Sequence, residues 1–337
     1  MVFRKVLERL RPQKTRAETP TTTIYFAHAM AGLIGDDMTS VVRRIEPNVF
    51  LAGDTLLVVR HWSGPTREVL RSRPDLKVIY LIDDDIWTKE SQAELPTAYR
   101  ARVERLLRDF NAQIAGRVAT VVAPSTKILE RFGRSETRLI EPGLIYEIPD
   151  LDHHEEPALP FSIVFSGTSS HIADLASIAD ELAGFLAGRT DVHFTTFLGD
   201  RAPEALKLAN CTHNRPMSWP EFRSRVAGLR FHAGIAPANA TEFNASRSST
   251  RLLDHAAFGA AGLYTVGSGP ASAVTHDGDG LLVGAESGAW ANALDRLATN
   301  REQCTVLARA GQKTARKIGD LDRLRDFWLN ELCLKGQ

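Results

Sequence analysis

Two doubly wound α/β domains facing each other across a cleft are what this sequence predicts, and three observations predict it. Short apolar runs of strand length alternate with helical patterns, as parallel sheets covered on both faces require. The alternation is interrupted around residues 147–160 by a proline-rich, acidic, aperiodic stretch that reads as a linker. The chain has 337 residues, enough for two ordinary domains.

Composition narrows the class. The 41 basic and 41 acidic side chains cancel, so no global charge argues for nucleic acid, and no basic block with interleaved aromatics occurs in the body of the chain. No apolar run reaches membrane-spanning length, and the N-terminus lacks the apolar core of a signal peptide. Cys211, Cys304 and Cys333 are scattered, without metal-ligand spacing. They read as reduced thiols of a cytoplasmic protein.

Residues 1–18 stand apart. Val2, Phe3, Val6, Leu7 and Leu10 can form one apolar face, and Arg4, Lys5, Arg9, Arg11, Lys14 and Arg16 dominate the rest. Such a basic amphipathic helix suits the anionic surface of a membrane. A helix docked on its own domain is the alternative. The first domain is assigned to 19–150, with strands expected at 24–27, 55–60, 77–82, 120–122 and 138–140. Its longest helix is expected at 97–115, where Val103, Leu106, Leu107, Phe110 and Ile114 share a side. The linker is placed at 151–160. The second domain is assigned to 161–317, with strands expected at 162–166, 193–198, 211–214, 231–235, 262–266 and 280–283. Residues 318–337 are read as a closing C-terminal helix.

The stretch 243–259 carries the most chemistry. Leu252, Leu253, Ala256 and Ala257 give an apolar helical stripe, and Gly259 is placed to stop it. Arg247 and Arg251, four apart, share one face near the helix start, with Asp254 three beyond. The first amides of a helix are unpaired and its dipole is positive there. Two guanidiniums beside them suit a diphosphate, and a carboxylate one turn further suits the hydroxyls of a ribose. A surface helix with solvated arginines is the plainer reading of the same spacing.

At this point the residues resemble a known family. Phe243-Asn244-x-x-Arg247-Ser248-x-x-Arg251-x-x-Asp254-His255-x-x-x-Gly259 is similar to the nucleotide-binding helix of GT-B glycosyltransferases, family 4-like ones above all. Their usual form is Phe-Asn-x-x-Lys-Ser-x-x-Lys-x-x-Glu-Tyr-x-x-x-Gly. Ile140-Glu141-Pro142-Gly143 resembles the family's segment ending the first domain. Val164-Phe165-Ser166-Gly167-Thr168, with His171 and Asp174, resembles the glycine loop opening the second. Asp277-Gly278-Asp279-Gly280-Leu281-Leu282-Val283, followed by Trp290, resembles its tail. The matching segments run in order from about residue 77 to 315.

The resemblance implies the GT-B architecture and a reaction: transfer of a sugar from a nucleoside-diphosphate donor to a hydroxyl acceptor. It implies that Arg247 and Arg251 neutralise the donor diphosphate, with Ser248 beside them, and that Asp254 holds the ribose. Gly167 and Thr168 would let backbone approach the phosphates or the sugar. No cofactor and no metal enter this picture; the nucleotide sugar is a substrate. The acceptor is expected to be a saccharide or another hydroxyl compound, such as an envelope polysaccharide or a lipid-linked saccharide. The sequence also departs from the pattern. Where family 4 enzymes carry Glu-x7-Glu, this chain has Ser246 and Asp254, so the first carboxylate is missing. That departure keeps two other readings alive: a GT-B-like binding or scaffold protein without catalysis, and a GT-B-shaped sugar-nucleotide epimerase.

Candidate acceptor-side chemistry lies in the first domain. Asp83-Asp84-Asp85 follows an apolar strand and so sits at the carboxyl edge of a sheet. Adjacent side chains diverge, so the three are not expected to serve one metal ion. Asp83 or Asp84 is the candidate for binding an acceptor hydroxyl or acting as base. His28 and His61 are each expected to end a strand and to face the same cleft. His153 and His154 fall in the linker and are read as a solvated hinge. No dinucleotide fingerprint, phosphate-binding Walker motif or nucleophile elbow occurs.

Overall fold

Thr55–Val59 and Lys77–Leu81 are apolar at almost every position because both faces of their sheet are covered. The structure, a computed structural model, describes residues 18–88, 97–133, 135–156 and 159–335. The first half begins with a helical segment, α1, in which Pro20–Thr22 is α-helical and Thr23–Ala27 is wound as a π-helix. Strands β1 (Ile34–Gly35), β2 (Val42–Glu46), β3 (Val49–Ala52) and β4 (Thr55–Val59) follow. Next come helix α2 (Gly64–Ser72), β5 (Lys77–Leu81), α3 (Thr97–Gln113), β6 (Val118–Ala123), the short α4 (Thr126–Leu129) and β7 (Glu136–Leu139).

The seven strands lie in sequence order, β1 to β7. β4 to β7 are parallel, but β3 is antiparallel to both β2 and β4. This half is therefore a mixed sheet wound in one direction, not the doubly wound parallel sheet expected. Right-handed crossovers that all advance the same way put their helices on one face. Accordingly Leu70 of α2, Val103, Leu106 and Phe110 of α3 and Ile128 of α4 pack on Leu56, Val58, Val78 and Tyr80.

The second half is wound as predicted. It runs β8 (Phe161–Phe165), α5 (Ile172–Ala176), α6 (Ala179–Leu186), β9 (Val192–Thr196), β10 (Cys211–His213), α7 (Trp219–Val226) and β11 (Ala233–Ala236). Then follow α8 (Glu242–Ala245), α9 (Thr250–Ala257), β12 (Ala261–Thr265), β13 (Leu281–Val283), α10 (Ala289–Thr299) and α11 (Arg301–Ile318). Strand order is β10-β9-β8-β11-β12-β13, all parallel. The direction of winding reverses between β8 and β11. That crevice, outside the carboxyl ends of the strands, is where open α/β sheets bind ligands.

The last helix, α12 (Leu321–Glu331), returns to the first sheet. Trp328 is fully buried there, stacks edge-on against Phe26 and donates its indole N–H to the Tyr25 carbonyl. Leu324, Trp328 and Leu332 join Tyr25, Phe26 and Met30 of the α1 region in covering Leu57, Val59, Ile79 and Leu81. The two ends of the chain thus supply the layer that the one-way winding leaves out.

Two further expectations are corrected. Residues 24–27 form the π-turn of α1 and not a strand. His153 and His154 do not form a solvated hinge: Leu151 beside them joins the second core, and buried His154 reaches the Gly259 carbonyl at 2.8 Å. His153, His154 and His232 pack ring to ring. Of the predicted N-terminal segment 1–18, only Glu18 falls within the described residues. No described helix is long and apolar enough to cross a membrane.

Candidate functional site

The crevice between β8 and β11 is built by close backbone approach. After β8 the chain passes through Ser166 and buried Gly167. A Cβ on Gly167 would lie 2.3 Å from the Phe165 ring and 3.0 Å from His171 Cβ. After β12 the loop turns back at Gly269, whose amide bonds to the Asn244 carbonyl at 2.8 Å. A Cβ on Gly269 would sit 1.9 Å from the Arg247 carbonyl oxygen. Glycine is required there by steric contact alone.

α8 is capped by Thr241, whose hydroxyl accepts the Asn244 amide, and it ends at Ala245. The chain then turns, and α9 starts only at Thr250. Arg247 therefore precedes the helix, and Arg247 and Arg251 do not share one helical face as the spacing suggested. They diverge. Arg251 Nη1 donates to Asp254 Oδ2 at 2.7 Å and to Ser166 Oγ at 3.2 Å. Asp254 is buried, and burial pushes its carboxyl up, against the pull of Arg251. Arg247 instead lies over the Phe243 ring, beside His171, and points across the cleft to Asp84. Ser248 lines the same wall, and Thr168 is exposed with its hydroxyl on Ser170.

Beneath Arg247 lies a polar support. Asp174 Oδ1 accepts from the Asn239 amide at 2.9 Å and from Asn244 Nδ2 at 2.8 Å. Asp174 Oδ2 meets His171 Nδ1 at 3.1 Å. A carboxylate can only accept, so the proton belongs on Nδ1. Burial and Arg247 push His171 down to about 3, so the ring is neutral. The 3.0 Å approach of Arg247 Nη1 to that same nitrogen then sets N–H against N–H. An anion beside Arg247 would accept from its guanidinium, while the Nδ1 proton stays with Asp174. Arg247, Arg251, Ser248, His171, Asp174 and Asn244 border a cavity of about 50 Å³.

The opposite wall comes from the end of β5. Asp83 Oδ1 and Asp84 Oδ2 share Arg60 Nη1, at 3.1 and 2.6 Å. Asp83 Oδ2 also accepts from Thr21 at 2.7 Å. Burial and neighbouring Asp84 push Asp83 up. Burial acts on Asp84 too, but Arg60 and Arg247 outweigh it and hold this carboxyl well below the ordinary range. Asp84 is thus ionised, while Asp83 is displaced toward the protonated form. Asp85 turns away to Arg131 at 3.2 Å, and Arg131 also reaches Glu242 of α8 at 3.1 Å. Asp85, Lys127, Glu130, Arg131 and Glu242 line an open cavity of about 300 Å³ at the cleft edge.

The structure brings Asp83, Asp84 and Arg247 together and sets Gly167, Arg251 and Asp254 beside them. His28 is exposed at the end of α1, not at a strand end, and is lowered by partial burial and by Arg223 of α7. His61 follows Arg60 after β4. Sequence reasoning missed Arg60, which links the two aspartates from a backbone of φ 56°. Its position one residue beyond an apolar strand, level with the aspartates of the next, was the available signal. His171 and Asp174 were noticed within a motif but given no role.

No family model matches the chain, and no curated protein matches it. Solved structures do. HepE of Anabaena, in complex with UDP and glucose, superposes with TM-score 0.57 at 14% identity, over 80% of this chain and 75% of that one. The pneumococcal O-GlcNAc transferase GtfA, in complex with UDP and GlcNAc, gives 0.57 at 12%, over 88% and 65%. Sucrose-phosphate synthase from Thermosynechococcus elongatus gives 0.52 at 14%, over 80% and 70%. The chain has the fold of these GT-B structures.

Proposed function

We propose that this chain is a glycosyltransferase that moves a sugar from a nucleoside-diphosphate donor to a hydroxyl acceptor. The observation that carries the reading is the placement of Arg247. It stands at the switch point of a 3-2-1-4-5-6 sheet, beside a neutral histidine and above the Asp174 support. That arrangement suits a departing diphosphate, whose growing charge preorganised donors stabilise without further rearrangement. The fold likeness adds weight, since HepE and GtfA carry UDP in their complexes. UDP is accordingly the first nucleotide to test.

In this reading Arg247, backed by His171 and Asp174, receives the phosphates, and Gly167 lets them approach the backbone. Arg251 orients Asp254 toward the ribose. Asp84, ionised and at the acceptor side, positions the attacking hydroxyl, and the open cavity beside Arg131 admits the acceptor. The chemistry calls for neither cofactor nor metal. The acceptor is proposed to be a polysaccharide or lipid-linked saccharide, met at the cytoplasmic face of a membrane through the basic segment 1–18.

The test is thermal shift with UDP, ADP, GDP and their sugar conjugates, on the wild type and on Arg247→Ala. A ligand that binds the folded state raises the melting temperature by mass action. The reading expects one base to shift the wild type and not the variant; no shift at millimolar nucleotide would overturn it. A second reading, a nucleotide-binding scaffold, is favoured by Ser246. It is fully buried, and its hydroxyl donates to the Phe243 carbonyl, so it offers the sugar nothing. Nucleotide binding without donor turnover under any acceptor would select it.

A further inference from the structure

Asp84 Oδ1 lies 3.8 Å from Arg247 Nη2, while Oδ2 takes Arg60 Nη1 at 2.6 Å. One carboxylate is held between an arginine of its own sheet and an arginine from the other side of the cleft. Its anchor is firm. Arg60 also pairs with Asp83, and its carbonyl accepts from the Tyr80 hydroxyl. Asp84 therefore cannot swing away with Arg247 when that side chain turns to a ligand. A phosphate group received by Arg247 comes to rest near a fixed negative charge, and like charges a few ångströms apart repel.

That repulsion differs between donor and product. In transfer, the bond from the anomeric carbon to the terminal phosphate oxygen breaks, and its electron pair stays on that oxygen. The acceptor oxygen bonds to the anomeric carbon and its proton leaves to solvent. The nucleoside diphosphate therefore ends with one more negative charge than the donor, on the phosphate that faced the sugar. We infer that Asp84 is a resident counter-ion that competes with phosphate ligands for Arg247 and acts most strongly against the diphosphate product, so that it promotes product release. This rests on the reading that Arg247 receives the donor diphosphate.

The experiment is calorimetric titration of the full chain with UDP and with UDP-glucose, and with ADP and GDP beside them. Wild type is compared with Asp84→Asn and with Glu242→Gln. The last removes the same charge from another ion pair that crosses the cleft, Arg131 to Glu242. Asp84→Asn is expected to tighten UDP roughly three- to tenfold. A pKa unit corresponds to tenfold, and partial solvent exposure reduces it. UDP-glucose should gain less, and Glu242→Gln should change UDP affinity less than twofold. Where the asparagine variant does not fold, Asp84→Ser takes its place with the same expectation. Unchanged or weaker UDP binding in a folded Asp84 variant overturns the inference, as does equal tightening by Glu242→Gln. Failure of UDP, ADP and GDP to bind the wild type overturns instead the donor-site reading beneath it.

Discussion

Replacing Arg251 by alanine is expected to damage stability before it damages binding. Its guanidinium is held by Asp254 at 2.7 Å and by Ser166, with side-chain exposures of 22% for Arg251 and 11% for Asp254. Removing one partner of a buried ion pair costs about 3–5 kcal/mol, because the other charge is left uncompensated. The partial exposure here, and the ability of Asp254 to take up a proton, reduce this to roughly 2 kcal/mol. In a domain of this size that is roughly 4–8 °C in melting temperature. The loss should depend on pH. Burial already pushes Asp254 up, and without Arg251 it rises further. A carboxyl raised in the folded state contributes stability that is present below its unfolded value of 3.8 and is lost as pH rises through the folded value. The gap between wild type and variant should therefore be wide at pH 8 and narrow toward pH 5. Adding Asp254→Asn should restore most of the loss at pH 8. Thermal or urea melts at both pH values measure it. A gap that does not change with pH, or a double variant no better than the single one, would refute the reasoning. Arg247→Ala, not Arg251→Ala, is thus the cleaner probe of nucleotide binding.

Three more expectations follow from particular contacts. Acid should unfold the second half early. Burial pushes His154 down to about 4 and His232, His255 and His171 to about 3, from 6.5. Groups lowered in this way hold fewer protons folded than unfolded, so stability falls as pH drops from 6.5 toward 3–4, by up to about 1.4 kcal/mol per pH unit for each histidine. Raised Asp83 and Asp254 act oppositely. Urea melts between pH 7 and 5 check the sign, and higher stability at pH 5 would contradict it. Gly269→Ala would press a methyl into the Arg247 carbonyl, and should cost about 1–3 kcal/mol and weaken UDP binding. Melts and titration of the variant decide this, and unaltered behaviour would mean that the loop yields freely. Trp328→Ala should cost about 3–5 kcal/mol, read as a lower urea midpoint, because the indole is fully buried between the helices and the first sheet. A loss below about 1 kcal/mol would mean that α12 is not part of that core.

The second half was legible because its strands and helices each carry their own local signal. Phe161–Phe165, Val192–Thr196 and Ala261–Thr265 are apolar or β-branched runs between turn residues, and a parallel sheet needs nothing else to be read. The first half was legible only from β4 onward. Val42–Glu46 escaped because it is only partly buried and carries two arginines and a glutamate, and Val49–Ala52 because its apolar run is only four residues long.

The remaining misreadings share one cause, which is that distant contacts decide local structure. Ile24–Ala27 has the composition of a strand, yet it winds as a helix because Tyr25 and Phe26 must face the sheet together with Trp328, about three hundred residues away in the chain. His153 and His154 look solvated in an acidic, proline-rich stretch. They are held by the carbonyls of Phe231 and Gly259, which no local pattern connects to them. The site divides in the same way. Arg251 and Asp254 form a local pair whose spacing survives in the structure as a direct contact. Arg60 and Asp84 follow two neighbouring strands of the first sheet and Arg247 lies in the turn before α9, and only folding brings their charges within 4 Å. The motif marks Arg247, but Asp84, the charge that faces it, lies outside the motif. That opposing charge is the part of the site where Asp84→Asn gives an answer that the motif cannot.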